Sequence, residues 1–338
     1  MMKAETPSDD RSAPSGAAAS VRSYLRRHLP RPAYRAARKT YYGARIVARR
    51  NPGRGRVLPD FVVIGAAKSG TTSLYASLIE HPFVVPCSTT NAYFSNTKEV
   101  RYFDYNFGRG RDWYRSHFPL QREREAFAAE HGRPFLTGEA SPSYISYANA
   151  PQRVRDLIPE AKLIAVLRNP VDRAYSQFQL SRREGLEDLD SFEEAAKLEA
   201  ERLRPELARM AADPTYTSWR FGKWSYLARS RYAEQLERWL EHFPREQFLF
   251  LKAEDLFAEP GRALDAVYDF FGLPGHALDL PHLNQSQYDG MPDNLRDQFN
   301  DYFRPYNERL YELVGIDFGW EQETAPQQAP SSSGEVRA

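Results

Sequence analysis

The segment FVVIGAAKSGTTSL, residues 61–74, holds the first residues whose types and spacing could do chemistry. Gly65 and Gly70 have the spacing of the two glycines in a Walker A loop, G-x-x-x-x-G-K-[ST]. Thr71 occupies the position of the Walker A lysine, and Lys68 lies two residues before the second glycine. The pattern predicts a loop that binds a phosphate-like anion, with its cation displaced from the usual position.

The anion-binding property of such a loop does not depend on where its lysine stands. Small residues, here Ser69 and Gly70, let successive backbone N–H groups converge on one anion. The helix that follows adds its N-terminal partial charge and free N–H groups, and the hydroxyls of Thr71 and Thr72 lie at its start. The alternative is a tight strand-to-helix turn without a ligand, which leaves Lys68 and the paired hydroxyls unexplained.

A second candidate anion site lies in KLIAVLRNPVDRAYSQFQL, residues 162–180. An apolar run ends at Arg168, Asn169 and Pro170 form a turn, and Ser176 lies two turns into the next helix. Residues at the ends of parallel strands line the ligand crevice, and an arginine there binds phosphate with two parallel hydrogen bonds. The alternative is a salt bridge to a surface carboxylate. Together, the two segments predict a ligand with two separated phosphate groups.

No strand ending in a Walker B aspartate accompanies the first loop, because the run at 162–168 ends in arginine. P-loop NTPases hold magnesium with the loop hydroxyl and that aspartate. The sequence therefore argues against an ATPase or kinase, and we expect no metal site.

These loops need a scaffold of strands alternating with helices. Five apolar runs are typical of buried strands: 60–65, 82–86, 133–139, 162–168 and 247–252. Helical patterns follow at 71–81, 191–203, 231–243 and 261–271. In the third of these, Tyr232, Leu236, Trp239, Leu240 and Phe243 recur on one face. We therefore predict an α/β fold, with a P-loop-like parallel β-sheet of about five strands flanked by helices on both faces.

Composition and charge indicate how the chain is divided. Residues 1–56 carry 14 Lys and Arg against three Asp and Glu, net +11, and the remainder carries net −10. We predict a basic, largely disordered or partly helical arm at 1–56, a domain at 57–322 and a disordered tail at 323–338. The N-terminal residues lack the apolar stretch of a signal peptide, and Cys87 is the only cysteine. Both features favour a cytoplasmic protein.

The chain resembles the sulfotransferases. GAAKSGTTSL resembles their 5′-phosphosulfate loop, and LRNPVDRAYSQF resembles their 3′-phosphate motif, with Arg168 and Ser176 in the matching positions. KEVRYFD (98–104) and GEASPSYI (138–145) resemble elements of the heparan-sulfate N- and 3-O-sulfotransferases. The resemblance covers roughly residues 58–320. It implies that the donor is 3′-phosphoadenosine 5′-phosphosulfate (PAPS), bound by Lys68, Ser69, Gly70, Thr71, Thr72, Arg168 and Ser176.

The resemblance also implies metal-free in-line transfer, with Lys68 neutralising charge on the leaving oxygen and Glu99 acting as the base. The alternative for Glu99 is a solvated surface carboxylate, with His117 and Glu139 as rival bases. Lys98 either orients the substrate or faces water. Tyr232 matches a family tyrosine that either contacts the donor or packs the helix.

Three features depart from the resemblance. Arg101 stands where the 3-O enzymes have a histidine, their disulfide is impossible with one cysteine, and NQSQY (284–288) lacks the basic residues of their C-terminal donor loop.

The sequence thus predicts a PAPS-dependent sulfotransferase that acts on a hydroxyl or amine of a glycan or glycolipid. A P-loop ATP-dependent phosphotransferase and an inactive protein that binds PAP (3′-phosphoadenosine 5′-phosphate) are the alternatives. We expect no nucleic-acid partner, and we expect the basic arm to contact anionic membrane surfaces, such as the inner membrane face.

Overall fold

The computed structural model describes residues 55–87, 98–276 and 290–322. In this part of the chain, five parallel strands form one sheet in the order β2–β3–β1–β4–β5. The strands are β1 (Phe61–Gly65), β2 (Val84–Pro86), β3 (Leu136–Ala140), β4 (Lys162–Leu167) and β5 (Phe248–Lys252). The predicted five-stranded α/β fold is confirmed, although β3 begins three residues later than the apolar run suggested.

Helices occupy most of the remaining described chain. They are α1 (Thr71–Leu78), α2 (Arg111–Arg115), α3 (Gln121–His131), α4 (Ala150–Leu157), α5 (Pro170–Arg183), α6 (Phe192–Ala212), α7 (Trp219–Trp224), α8 (Tyr232–Leu240), α9 (Ala253–Ala258), α10 (Pro260–Phe271) and α11 (Asp293–Val314). Almost all of the predicted arm, the segment 284–288 and the tail at 323–338 lie outside the described residues.

The central strands are buried on both faces, which explains their continuous apolar sequences. Every residue of β1 is buried, as are all but the first residue of β4. Gly138 of β3 pairs with Phe61 of β1 at close approach: a Cβ atom at Gly138 would lie 2.4 Å from the Phe61 carbonyl oxygen. A side chain at Gly138 would therefore force β3 away from β1.

The strand order creates a crevice between β1 and β4. After β1 the chain crosses to β2 on one side, and after β4 it crosses to β5 on the other. Ligands of open α/β sheets bind outside the carboxyl ends of the strands at such a switch point. The loop after β1 and the turn after β4 are the two predicted anion-binding segments, so the topology alone makes them neighbours.

Helices cover both faces of the sheet. Right-handed crossovers in opposite directions place α1 and α8 on opposite faces. Helix α1 packs on β1 and β3 and against α10, whereas α8 packs against the turn Tyr144–Ser146, which itself contacts β1. Four of the five residues predicted to share the apolar face of α8 are buried, and Leu240 is half-buried.

A second apolar cluster fixes α5, whose first turn lies at the crevice. Val171 and Phe178 of α5 pack with Phe192 of α6 and with Phe299 and Phe303 of α11. Helix α6 begins as its sequence predicts, because the Ser191 hydroxyl accepts a hydrogen bond from the Glu194 N–H at 3.3 Å. The packing of three helices thus holds the start of α5 in place.

Candidate active site

The loop after β1 has the backbone conformation of an anion-binding turn. Lys68 and Gly70 both have positive φ, 77° and 85°, and the Gly70 carbonyl accepts the first hydrogen bond of α1, from the Leu74 N–H at 3.1 Å. A Cβ atom at Gly70 would lie 2.8 Å from Cζ of Phe257. Conformation and space both favour glycine here. Ser69 and Thr71 are buried and Thr72 is half-buried, and the Ser69 N–H donates to the Ala66 carbonyl oxygen at 3.2 Å within the loop.

Arg168 joins the two predicted anion-binding segments. Its guanidinium donates a hydrogen bond to the Lys68 carbonyl oxygen at 3.3 Å, across 100 residues of chain. The turn that carries Arg168 is fixed from two sides. The Tyr232 hydroxyl donates to the Arg168 carbonyl oxygen at 2.9 Å, and the Asn169 N–H donates to a Glu254 carboxylate oxygen at 2.8 Å. The structure therefore brings together the two segments that the sequence could only identify separately.

Positive charge accumulates around Lys68. Burial and the guanidinium groups of Arg183, Arg168 and Arg173 lower the pKa of Lys68 to about 8. In the described part of the chain, no carboxylate lies within ion-pair distance of Lys68 or Arg173. The carboxylates of Glu184 and Glu199 oppose these pKa shifts only in part. Because the cationic side chains outweigh them, the crevice favours an anionic ligand.

Sequence reasoning missed Arg173 as part of this site. Arg173 is fully buried, and its guanidinium donates to the Ser230 hydroxyl and to the Tyr226 carbonyl oxygen, both at 2.6 Å. Burial lowers its pKa to about 10. The available signal was its spacing, since Arg173 and Ser176 are three residues apart on one helix face immediately after Arg168.

Tyr232 and Ser176 are both buried, and the structure gives a hydrogen-bond partner for the Tyr232 hydroxyl. Tyr232 is buried, burial raises its pKa to about 12, and its hydroxyl is directed at the backbone of Arg168. This geometry favours helix packing and positioning of Arg168 over direct donor contact. Ser176 is buried on α5, one helical turn beyond Arg173.

Glu99 lies on a segment that is attached along the end of β3. The Lys98 carbonyl accepts from the Ala140 N–H at 3.0 Å, the Val100 N–H donates to Glu139 at 2.9 Å, and the Arg101 N–H donates to the Ser141 hydroxyl at 2.9 Å. The Glu99 side chain is 18% exposed, and its Oε1 lies 3.3 Å from the Lys98 Nζ. Glu99 is therefore a partly accessible carboxylate on a backbone that the sheet holds in place.

Glu139 is a fully buried carboxylate with four hydrogen-bond donors. The Val100 N–H donates to one oxygen, and the hydroxyls of Tyr114, Tyr144 and Ser141 donate at 2.9, 3.0 and 2.6 Å. Burial raises its pKa to about 7, and the hydrogen bonds oppose that rise. A carboxylate enclosed in this way positions the 98–101 segment, so the structure does not support it as the base.

His117 lies near the residues that precede β1, whereas the Lys68 loop follows β1. Its Nδ1 donates to the Trp113 carbonyl oxygen at 2.9 Å. Two residues further on, the Pro119 carbonyl accepts a hydrogen bond from the N–H of Val57, which precedes β1. The active-site loop follows the other end of β1, so the structure does not bring His117 and Lys68 together.

Arg101, where the resembling 3-O enzymes have histidine, is held by its neighbours. Its φ is 55°, and its guanidinium donates to Asp104 at 3.1 Å and to the Ser143 hydroxyl at 3.2 Å. It also lies 4.0 Å from the centroid of the Tyr105 ring. These contacts fix the chain immediately after Glu99.

Two further properties concern the described residues only. None of their helices is both long enough and apolar enough to cross a bilayer. They contain no group of three or more His, Cys, Asp or Glu side chains placed to hold a metal ion. The expectation that transfer needs no metal stays a prediction.

Comparison with known proteins decides the family. The model of the sulfotransferase domain family matches residues 58–302. The chain belongs to this family. Its sequence is 30% identical over 296 residues to human heparan sulfate glucosamine 3-O-sulfotransferase 6, covering 80% of this chain and 75% of that protein. It is 34% identical over 240 residues to human bifunctional heparan sulfate N-deacetylase/N-sulfotransferase 3, covering 68% of this chain and 23% of that protein.

A solved structure agrees with this assignment. The crystal structure of the sulfotransferase from Alicyclobacillus acidocaldarius superposes with a TM-score of 0.58 at 28% identity, covering 79% of this chain and all of the other. The predicted enzyme class, a sulfotransferase of the heparan-sulfate type, is confirmed, and the sulfotransferase family uses PAPS as its sulfuryl donor.

Proposed function

We propose that this sulfotransferase transfers the sulfuryl group of PAPS to a hydroxyl or amine of a glycan or glycolipid. The observation that carries the proposal is the contact between the Arg168 guanidinium and the Lys68 carbonyl oxygen, 3.3 Å apart. It unites two anion-binding segments at one crevice, as a donor with a phosphosulfate at one end and a 3′-phosphate at the other requires.

The residues present fit this donor. The Gly70 backbone N–H, the hydroxyls of Thr71 and Thr72 and the start of α1 are suited to the 5′-phosphosulfate. On the other side of the crevice, Arg168 and Ser176 are suited to the 3′-phosphate. The arginines that lower the pKa of Lys68 supply positive charge that a ligand with several negative charges would neutralise.

The donor supplies an activated sulfuryl group: the acceptor atom forms a new bond to sulfur while the bond from sulfur to the 5′-phosphate oxygen breaks, and PAP keeps that electron pair. Glu99 takes the proton from the acceptor hydroxyl or amine. Lys68 neutralises the charge that develops on the phosphate oxygen. Glu139 and the end of β3 hold the backbone beside Glu99, so the base needs little reorganisation.

The relatives support a glycan as the acceptor. Two of them are named for heparan sulfate, one as a 3-O-sulfotransferase and the other as an N-deacetylase/N-sulfotransferase. One name refers to transfer to oxygen and the other to transfer to nitrogen, so we propose either a hydroxyl or an amine as the acceptor group. Arg101 next to the base differs from the histidine of the resembling 3-O enzymes, so their sugar contacts are not transferred to this chain.

Thermal unfolding with PAP tests the donor site. Since a ligand that binds only the folded state stabilises it, PAP at 100 times its dissociation constant should add about 2.7 kcal/mol to the free energy of unfolding. ATP without metal is the matched control, and greater stabilisation by ATP than by PAP would refute the donor assignment.

Incubation with ³⁵S-labelled PAPS and a panel of glycans tests the transfer. Mass spectrometry should find a product with one added sulfuryl group. Binding of PAP without transfer to any glycan in the panel would indicate a binding protein instead.

A further inference from the structure

Lys98 is buried where the donor loop, Glu99 and the end of β3 meet. Its side chain is 4% exposed. Its Nζ lies 3.4 Å from the Thr71 Oγ1, 3.3 Å from the Glu99 Oε1 and 3.3 Å from the Ala140 carbonyl oxygen. Of the two alternatives for Lys98, the one in which it faces water is therefore wrong, and its ammonium group connects the donor side of the crevice to the proposed base.

A buried ammonium group needs a physical reason. Transfer of a charge from water into a protein interior is unfavourable unless the charge is paired and hydrogen-bonded. Burial lowers the pKa of Lys98, and Glu99 opposes that change most strongly. Glu99 is the ion-pair partner of this charge, and the hydrogen bonds to Thr71 and Ala140 hold the same ammonium group at the start of α1.

The geometry of transfer brings the sulfuryl group to this ammonium group. Thr71 opens α1 directly after the loop proposed to hold the 5′-phosphosulfate, and Glu99 must lie within about 2.6–3.2 Å of the acceptor atom to take its proton. The reacting acceptor and sulfur atoms approach to about 3–3.5 Å. The sulfuryl group therefore passes between Thr71 and Glu99, and the Lys98 Nζ is in hydrogen-bond contact with both residues.

We propose that Lys98 is a catalytic residue that donates hydrogen bonds to the sulfuryl oxygens during transfer and orients the Glu99 carboxylate. This role rests on the proposed function. Lys68 acts at the leaving oxygen and Lys98 at the sulfuryl oxygens. Lys98 keeps its proton throughout, because the proton of the acceptor moves to Glu99 and the electron pair of the broken bond stays on PAP.

Binding of PAPS and of PAP distinguishes a catalytic Lys98 from a structural one. PAPS carries the sulfuryl group and PAP does not, so Lys98 contributes to binding of PAPS but not of PAP. A lysine that only bridges Thr71 and Ala140 would affect the two ligands equally, because both carry the 5′-phosphate.

Calorimetric titration of PAPS and of PAP into the full chain tests this consequence. Lys98→Met removes the charge and keeps the volume, and Lys98→Gln removes the charge but retains N–H donors for Glu99 and Ala140. Both variants should bind PAPS about 10- to 100-fold more weakly, the range expected for a lost charge-assisted hydrogen bond, and PAP within about twofold of wild type. Lys197→Met is the control, since Lys197 is an exposed residue of α6.

The same variants are then compared in turnover with a working acceptor. Turnover should fall in both Lys98 variants and stay near the wild-type value in Lys197→Met, because only the Lys98 variants lose a charged hydrogen-bond donor to the sulfuryl oxygens. If Lys98→Met does not fold, the affinities of Lys98→Gln for PAPS and PAP test the proposal.

Equal losses of PAPS and PAP affinity in the Lys98 variants, or unchanged PAPS affinity, overturn the role proposed for Lys98. The donor assignment stays intact in that case as long as the wild-type protein binds both ligands. Failure of the wild-type protein to bind either ligand overturns both proposals.

Discussion

The protonation state of Lys68 should make donor binding depend on pH. Burial and three neighbouring guanidinium groups lower the pKa of Lys68 to about 8, so this side chain loses its charge within an accessible pH range. Only the charged form attracts the 5′-phosphate. We therefore expect the affinity for PAP to fall as the pH rises through 8.

The magnitude follows from that pKa. In the free protein the charged fraction of Lys68 falls from about nine-tenths at pH 7 to about one-tenth at pH 9, and the apparent affinity falls with the fraction that is competent to bind. PAP should therefore bind about tenfold more weakly at pH 9 than at pH 7. The ligand contributes little to this change, because the second pKa of a phosphate monoester is about 6.

Calorimetric titration of PAP at pH 7, 8 and 9 measures the effect. Lys68→Arg is the matched control, because a guanidinium group stays charged over this range, and its affinity should be nearly independent of pH. An affinity of the wild-type protein that changes by less than twofold, or an equal decline in Lys68→Arg, would refute the assignment of the charge to Lys68.

Three further predictions concern the base, the 3′-phosphate and the arm. Glu99→Gln should lower turnover by about 10²–10⁴-fold with PAP affinity unchanged, and turnover within a few-fold of wild type would exclude Glu99 as the base. In a fluorescence displacement assay, Arg168→Ala should weaken the binding of PAP about 10- to 100-fold but hardly affect the binding of adenosine 5′-phosphosulfate, which lacks the 3′-phosphate. Equal losses of affinity for the two ligands, or a similar loss in the exposed control Arg182→Ala, would contradict the assignment of Arg168 to the 3′-phosphate. A chain that starts at Val57 should retain transfer and lose co-sedimentation with anionic vesicles, since each basic residue near such a surface contributes about 1 kcal/mol, whereas equal sedimentation of both chains would disprove the membrane contact.

The two segments proposed to bind the donor could be singled out from the sequence because each segment is local. A buried strand, a turn with Gly70 and a helix opened by Thr71 lie within about a dozen residues, and their conformations follow from short-range sterics and hydrogen bonding. The same holds for the turn after β4, where Arg168 precedes Asn169 and Pro170. Alternation of such units also predicted the parallel sheet.

The partners of buried polar side chains could not be predicted, because each partner comes from a distant part of the chain. Lys98 meets Ala140 across 42 residues, and the Tyr232 hydroxyl meets the Arg168 backbone across 64. Whether a lysine faces water or a carboxylate is enclosed depends on which elements pack around it. The sequence could therefore propose Glu139 as a base, and only its burial with four donors indicated a positioning role.

The sequence by itself predicted the class of the protein and the two candidate anion-binding segments, since glycine positions, strand ends and helix starts are encoded locally. The tertiary structure decided how those segments combine. It brought Arg168 to the Lys68 carbonyl oxygen, gathered the arginines that lower the pKa of Lys68, and placed Lys98 between Thr71 and Glu99. The physical reason is that charge and burial act through space, and the strand order of the sheet sets those distances.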